Sequence, residues 1–309
     1  MQDISIIIPA YNEEGSLEKL FRTLDEVISS ELIGFNVEVI VVDDHSSDLT
    51  NALLIENQPF YVWLKYIRLL KNSGSHIAIL CGLSHCNGDK AIIIGADLQD
   101  PPEVIPELLN KSIETGSNIV LGNRLNRSDP IMKKIPSYIF NHIVSKYIFS
   151  GFPAGGGDVF LLNRNVINAV IQSLEKNVNI FILMLSFSDD VVVVDYNREQ
   201  RFAGTSKWTI RKLIKLAYDT VITAGNTPIT LIRWIGGLSV IVSIASIIYI
   251  LIAKYYGLIY EIGWPSLLAM ISFFGGMIMF SLSILGEYIW RNFDQTRARP
   301  IYLIEDKKL

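Results

Sequence analysis

Two stretches without a single charged residue, Trp234 to Ala253 and Ile262 to Gly286, set the firmest limit on how this chain folds. Each is long enough to cross a hydrocarbon core as a helix, which takes about 20 apolar residues. Core helices of soluble proteins seldom run so far without a charge, because one face usually meets water. Two membrane spans are therefore expected. They account for a hydrophobic content of 50% in 309 residues, high for a purely soluble α/β protein.

The basic residues give the topology. Arg201, Lys207, Arg211, Lys212, Lys215 and Arg233 precede the first span, and Arg291, Arg297, Arg299, Lys307 and Lys308 follow the second, whereas the loop between them offers only Lys254. The positive-inside rule then puts both termini and the N-terminal domain in the cytoplasm, with the loop around Tyr255 to Glu261 outside, in an integral protein of the cell (inner) membrane. Met1 to Pro9 has neither a basic start nor a cleavage site, so no signal peptide is expected.

Before the spans, apolar runs alternate with helical patterns. Ile4–Pro9, Val37–Val42, Val62–Leu70, the run from Ile92, Asn118–Leu121 and Val159–Leu162 read as strands. Ser16–Ser30, with Leu17, Leu20, Phe21, Leu24 and Val27 at helical spacing, and Ser75–Cys86 read as helices. This alternation means an α/β domain with a largely parallel sheet, whose ligands gather beyond the carboxyl ends of the strands. The first strand runs into Ala10, Tyr11, Asn12, Glu13 and Glu14, not into a G-x-G-x-x-G turn, which argues against a dinucleotide fold. Net charge of −4 argues against a nucleic-acid partner, and the four scattered histidines against zinc. Cys81 and Cys86 read as core thiols of a reducing compartment.

Acids cluster where strands should end. In Ile92 to Pro102, IIIGADLQDPP, Asp97 sits on the turn after a buried strand and suits a hard divalent cation, Mg2+ or Mn2+, otherwise held by water and diphosphate oxygens. Asp100, followed by Pro101, Pro102 and Glu103, reads as a helix N-cap. Asp43 and Asp44 could accept the imide N–H of uracil or ribose hydroxyls, with helix capping by Asp44 or Ser47 as the alternative. Lys71 could place a cation near a phosphate, and Arg124 and Arg127 follow the fifth strand. Gly155, Gly156 and Gly157 give Asp158 a flexible approach to the same region. Asp129–Ser150 reads as a helix lying either in the membrane surface or on the sheet, and Trp208–Thr223 as an amphipathic helix leading into the first span.

Taken in order, PAYNEE, VVDDHSSD, ADLQDPPE, GNR, GDVFLLNR, RFAGTSKW and LGEYIWRNFDQTRARPIY resemble the polyprenyl-phosphate glycosyltransferases of GT-A fold, the group of bactoprenol glucosyltransferases and dolichol-phosphate mannose synthases. The resemblance covers nearly the whole chain. It implies a GT-A catalytic domain over 1–205, a juxtamembrane helix over 206–228, two spans over 229–289 and a cytoplasmic tail over 290–309. It also implies inverting transfer from a nucleotide-sugar donor to a polyprenyl phosphate, and a homo-oligomer. By the same resemblance Pro9, Tyr11, Glu13, Asp43, Asp44 and Lys71 hold the nucleotide, and Asp97 and Gln99 act at the metal and diphosphate. Arg124, Arg127, Arg201 and Lys207 meet the lipid phosphate or diphosphate, and Asp158 matches an acid near the transfer site. Two positions depart from the pattern: Gly95 stands where the D-x-D motif has an aspartate, and Phe160 where many members have an arginine. A processive polysaccharide synthase lacks support, having neither its acceptor motif nor its further spans here. The Gly95 change leaves a non-catalytic scaffold with a decayed transferase domain as the alternative.

Overall fold

Ile4 to Ile8 is apolar on both sides of an extended chain, so such a strand has to be covered twice. In a computed structural model this is met by β1 (Asp3–Ala10), an inner strand of an eight-stranded sheet, with Ile6 and Ile8 in one core layer and Ile7 in the other. The structure describes residues 3–125, 157–173, 179–199 and 202, individual positions from 232 to 256, 263–297 and 299–309. The other strands are β2 (Asn36–Asp43), β3 (Leu64–Leu69), β4 (Lys90–Ile93), β5 (Ile119–Arg124), β6 (Phe160–Asn163), β7 (Val191–Tyr196) and β8 (Ile304–Lys308). Between them lie α1 (Leu17–Ser30), α2 (Thr50–Asn57), α3 (Ser75–His85), α4 (Val104–Thr115), α5 (Arg164–Ser173), α6 (Ile180–Ser186) and α7 (Trp264–Thr296).

The strand order is β7-β5-β6-β4-β1-β2-β3-β8. Strands β4, β1, β2 and β3 run parallel, as do β5 and β7, while β6 is antiparallel to both of its neighbours and β8 is antiparallel to β3. The sheet is thus mixed. Because β6 runs backwards, its entrance lies at the same edge as the carboxyl ends of β4 and β5, and Asp158 arrives at that edge just before Phe160 pairs with Ile93 and Leu121.

Leu17, Leu20, Phe21 and Leu24 of α1 and Val104, Ile105 and Leu108 of α4 fill one layer; α3, α5 and α6 fill the other. Helix α3 buries seven consecutive residues, Ile77 to Leu83. Gly88 lets the chain entering β4 press against β1, since a Cβ there would stand 2.6 Å from the Ser5 backbone nitrogen. Gly116 ends α4 in the left-handed conformation at φ 71°, where a residue without Cβ is unstrained.

The DPPE stretch does not form the expected capped helix. Helix α4 starts only at Val104, with Glu103 at the cap position and no side-chain cap bond, while Asp100 is buried among polar partners described below. Val62 lies outside β3, β4 is only four residues long, and β5 continues to Arg124.

The chain divides into two units, Met1–Thr220 with Pro300–Leu309, and Val221–Arg299. The last ten residues therefore belong with the N-terminal unit. In the second unit, α7 contains an apolar window, Phe273–Trp290, of mean hydropathy 1.4 with none of its residues buried, and it is the one helix among the described residues long and apolar enough to cross a membrane. Described positions between 232 and 255 are helical, but much of the first expected span lies outside the described residues. So do Arg127, Arg201, Lys207, Gly155 and Gly156, and the helices expected over 129–150 and 208–223.

Candidate active site

Parallel strands end together, so the loops after β1, β2 and β4 meet at one edge. The first two are stitched to each other. The Asn12 amide donates to Ser46 Oγ (2.8 Å) while Asn12 Oδ1 accepts from the Ser47 amide (2.8 Å). The Glu13 amide donates to Thr50 Oγ1 (2.9 Å), and Glu14 Oε2 accepts from the Leu49 amide (2.8 Å). Among the described residues three non-glycine positions have positive φ: Asn12 (54°), His45 (59°) and Leu98 (56°), one in each loop. Such strain persists only where surroundings over-determine the backbone, and it gathers at functional sites.

The Asp43 and Asp44 carboxylates are buried and engaged by protein groups. Asp43 accepts from the Ser46 amide (2.9 Å) and from Arg68 Nη1 (2.7 Å); Asp44 accepts from the Ser73 and Gly74 amides (2.6 and 2.8 Å) at the entrance of α3. Burial raises the Asp44 carboxyl above its usual range despite those two donors. The helix after this loop is capped by neither Asp44 nor Ser47: Leu49 holds its N-cap position with no side-chain cap bond, and Asp48 Oδ1, just outside, accepts from the Thr50 amide (3.0 Å). Pro9 lies in β1 beside Val42, Tyr11 and Glu13 are half-buried, and Lys71 is exposed.

A second cluster gathers where β4, β5, β6 and β7 meet. Tyr196 Oη donates to Asp100 Oδ1 (2.6 Å) and accepts from Arg124 Nε (3.4 Å); Arg124 and Arg198 each bring Nε to 3.7 Å from the same carboxylate oxygen. Arg124, 6% exposed at its side chain, also pairs with Asp158. Arg198 Nη2 donates to Gln99 Oε1 (2.7 Å), and the Glu199 amide to the Gln99 carbonyl (2.9 Å), which ties the turn after β4 to the end of β7. Burial pushes the Asp100 carboxyl up, an effect that Arg124 only partly offsets. The Asp158 side chain is 54% exposed, and the Arg124 guanidinium beside it holds its carboxyl below the usual range. Burial and the Asp100 charge hold the Tyr196 phenol above its ordinary range, so it serves as a donor.

Asp97 stands on the turn between these clusters, half-buried, its Oδ1 accepting from the Gln99 amide (3.2 Å). A Cβ on Gly95 would lie 3.3 Å from Asp97 Oδ1 and 3.9 Å from Asp100 Oδ2, so two carboxylates converge on this glycine. Carboxylate oxygen is the donor type that Mg2+ and Mn2+ take. Among the described residues no three acidic, histidine or cysteine side chains group closely enough to hold a metal unaided. The residues therefore fit a cation held by Asp97 together with oxygens of a bound diphosphate, not one held by the protein alone.

Asp97, Gln99, Arg124 and Asp158 are thus brought to one edge with the loops after β1 and β2. Sequence reasoning missed Arg68, Tyr196 and Arg198. Arg68 had a signal: a lone guanidinium inside the apolar strand LKYIRL calls for a buried anion. Tyr196 and Arg198 had none, since their partners lie on the turn after β4 and at the end of β5.

Residues 5–171 match the model of glycosyl transferase family 2. An uncharacterized glycosyltransferase of Synechocystis sp. is 35% identical over 98% of this chain and 95% of its own length. The undecaprenyl-phosphate 4-deoxy-4-formamido-L-arabinose transferase of Photorhabdus laumondii is 33% identical over 99% and 94%. Among solved structures, glucosyl-3-phosphoglycerate synthase of Mycobacterium tuberculosis, in complex with Mn2+, UDP-glucose and phosphoglyceric acid, superposes with a TM-score of 0.52 at 16% identity, covering 72% of this chain and 78% of that one. At that identity the likeness shows the fold, an α/β mixed sheet of the GT-A type.

Proposed function

The chain belongs to glycosyl transferase family 2, and on that premise we propose that it moves a sugar from a UDP-sugar to the phosphate of undecaprenyl phosphate, with inversion, at the cytoplasmic face of the cell membrane. The product is a lipid-linked sugar for modification of cell-envelope glycans. The observation that carries the reading is the meeting, at one sheet edge, of the loops after β1 and β2 with the Asp97–Gln99 turn and the Arg124–Asp158 pair. A relative acting on undecaprenyl phosphate, aligned along both spans and the tail, supports the choice of acceptor.

In this reading Pro9, Tyr11, Glu13, Asp43, Asp44 and Lys71 form the nucleotide side. Asp43 and Asp44 act from beneath it, each with two acceptor positions already taken by the loops they shape. Arg124, with Arg127, Arg201 and Lys207, meets the lipid phosphate or the donor diphosphate, and Gln99 is aimed by Arg198. Asp97 holds Mg2+ or Mn2+, which when bound neutralises charge on the leaving nucleoside diphosphate.

A phosphate monoester has a second pKa near ~6, so the acceptor is mostly a dianion at neutral pH and a competent nucleophile. No general base is required. Asp158 fits that scheme, because a carboxylate held low by Arg124 is a poor proton acceptor but a good fixed negative charge. Its role is to orient the acceptor or to stabilise positive charge developing on the sugar, not to abstract a proton. The exposed apolar side chains of α7, such as Phe273, Phe280 and Leu282, face lipid, and the stretch from Trp234 forms the first span. Together they confine enzyme and lipid to one plane, which shortens the search between them. The domain limits follow: a catalytic part over 1–205, a juxtamembrane helix over 206–228 and two spans over 229–289, with neighbouring copies covering the helices in a homo-oligomer.

The test is transfer of radiolabelled sugar from a panel of UDP- and GDP-sugars into undecaprenyl phosphate by the purified protein in detergent, with and without Mg2+ or Mn2+. A metal-dependent, butanol-extractable, acid-labile product is expected. Nucleotide binding without product from any donor would move the reading to a non-catalytic scaffold, with Gly95 as its cause.

A further inference from the structure

Arg68 has no part in the transfer scheme, yet its side chain joins three distant segments. From the carboxyl end of β3 its Nη1 donates to Asp43 Oδ2 (2.7 Å), its Nη2 to the Ser46 carbonyl (3.3 Å) and its Nε to Glu305 Oε2 (2.8 Å). Glu305 belongs to β8, which follows the apolar unit in sequence and pairs with β3. The pairing there is irregular: Arg68 faces Asp306, but Leu69 faces Ile304, so Glu305 is the extra residue of a β-bulge. Bulges re-aim side chains, and this one has a visible effect. Tyr66 and Arg68, two apart in β3, point to one face of the sheet, and they are met by consecutive residues of β8: Tyr66 Oη donates to Asp306 Oδ2 (2.9 Å) and Arg68 to Glu305. A regular strand, alternating faces, would offer only one of the two acids.

We infer that Glu305 is a positioning residue for the donor nucleotide, acting through Arg68 to hold the Asp43–Ser46 turn in its binding shape. The inference rests on the nucleotide role proposed above for Asp43. The physical need is plain. Asp43 is fully buried, with one backbone amide on one oxygen and Arg68 on the other, so removing or displacing the cation leaves a buried charge undercompensated. Arg68 is that cation, and a guanidinium with Nε unanchored can rotate its fork away from a single carboxylate oxygen. The turn it braces is strained at His45, whose Nδ1 lies 3.4 Å from Glu305 Oε2, so loss of the brace lets the turn relax. The tail beyond the expected second span thus completes the nucleotide side of the site.

The experiment uses the full-length protein in detergent and titrates whichever of UDP and GDP the intact protein binds, alongside donor KM and kcat. Glu305→Ala should raise the dissociation constant and the donor KM about three- to tenfold, the range for a charged hydrogen bond discounted for the partial exposure of Glu305, with kcat within about twofold. Asp306 sits opposite Arg68 but bonds Tyr66, so Asp306→Ala leaves the Arg68 bonds to Asp43, Ser46 and Glu305 in place and should leave nucleotide affinity within about twofold. Glu305→Gln keeps size and strand pairing, so it covers the case in which the alanine variant does not fold; it should weaken binding by about threefold. Equal effects of Glu305→Ala and Asp306→Ala would make β8 a structural strand only and overturn the inference, as would no effect of either glutamate variant. Asp43→Asn separates the two layers of argument. If it weakens nucleotide binding while the Glu305 variants do not, the inference alone falls. If Asp43→Asn leaves binding unchanged, the nucleotide role of Asp43 falls and takes the inference with it.

Discussion

Removing one oxygen atom, by Tyr196→Phe, tests the reading of the acid–arginine cluster without opening a cavity. The hydroxyl donates to Asp100 at 2.6 Å and accepts from Arg124 at 3.4 Å, and the tyrosine is 6% exposed, so water cannot replace either bond. The longer contact adds little, and the main loss is one hydrogen bond to a desolvated carboxylate, about 1.5–3 kcal/mol. For a unit of this size, at about 2–4 °C per kcal/mol, that lowers the melting temperature by roughly 3–12 °C. The loss should depend on pH. The Asp100 carboxyl is already raised by burial in the folded protein, so its share of stability is fully present at low pH and falls as pH rises from the unfolded value of 3.8 through the raised folded one. Deleting its donor raises it further, so the gap between variant and parent should widen from acid toward neutral pH. Thermal melts of both proteins in one detergent, at several pH values, read this directly. A melting temperature unchanged at pH 7, or a gap that narrows as pH rises, would refute the view that Tyr196 holds an ionising Asp100.

Four further outcomes are expected. Asp158→Asn should lower kcat about 10- to 100-fold yet keep the acid limb of the pH–rate profile, since Asp158 moves no proton; complete loss recovered only at high pH would contradict that. Glu38 accepts from Ser5 Oγ, the Asn87 amide and Lys65 Nζ at 2.6, 2.6 and 2.7 Å; these outweigh burial and hold its carboxyl below 4.5, so Glu38→Gln should cost about 1–3 kcal/mol at pH 7, a gap that closes as pH falls below 4.5 through the folded value in paired denaturation curves. Gly88→Ala drives a Cβ into the Ser5 backbone and should destabilise by about 2–3 kcal/mol, read as a shift in denaturant midpoint at unchanged slope. Gly95→Asp sets a second carboxylate beside Asp97 and should lower the Mn2+ concentration for half-maximal transfer by about three- to tenfold, provided the 3.3 Å contact with Asp97 Oδ1 relaxes.

The inner strands were legible because burial on both faces leaves a continuous β-branched run, and β1 and β2 fall within a residue of where Ile4–Pro9 and Val37–Val42 put them. Helix α1 was legible for the same kind of reason, its five buried residues recurring at helical spacing. Asp100 misled. Its local pattern, D-P-P-E, is that of a capped helix, and only partners brought by β5 and β7 from elsewhere in the sequence show why it is buried instead. Strand β8 left no trace either: IEDKK is mostly charge, as edge strands tend to be, and nothing local distinguishes it from a solvated tail. The residues proposed to meet ligands lie at strand ends, where sequence pattern points, while Arg68, Tyr196 and Arg198 hold them from across the sheet and leave little local signal.

The pairing of β8 with β3 also sets the timing of synthesis. Arg68 and Glu305 are 237 residues apart, so at roughly 5–20 residues per second a ribosome delivers the second some ~12–50 s after the first. Throughout that interval β3 has one row of N–H and C=O groups without its strand partner, the kind of edge that recruits stray chains. Only a polypeptide read through all of its apolar unit can close that edge. A nascent chain stalled or clipped before residue 304 therefore bears an open strand by which chaperones and proteases can tell it from a finished one.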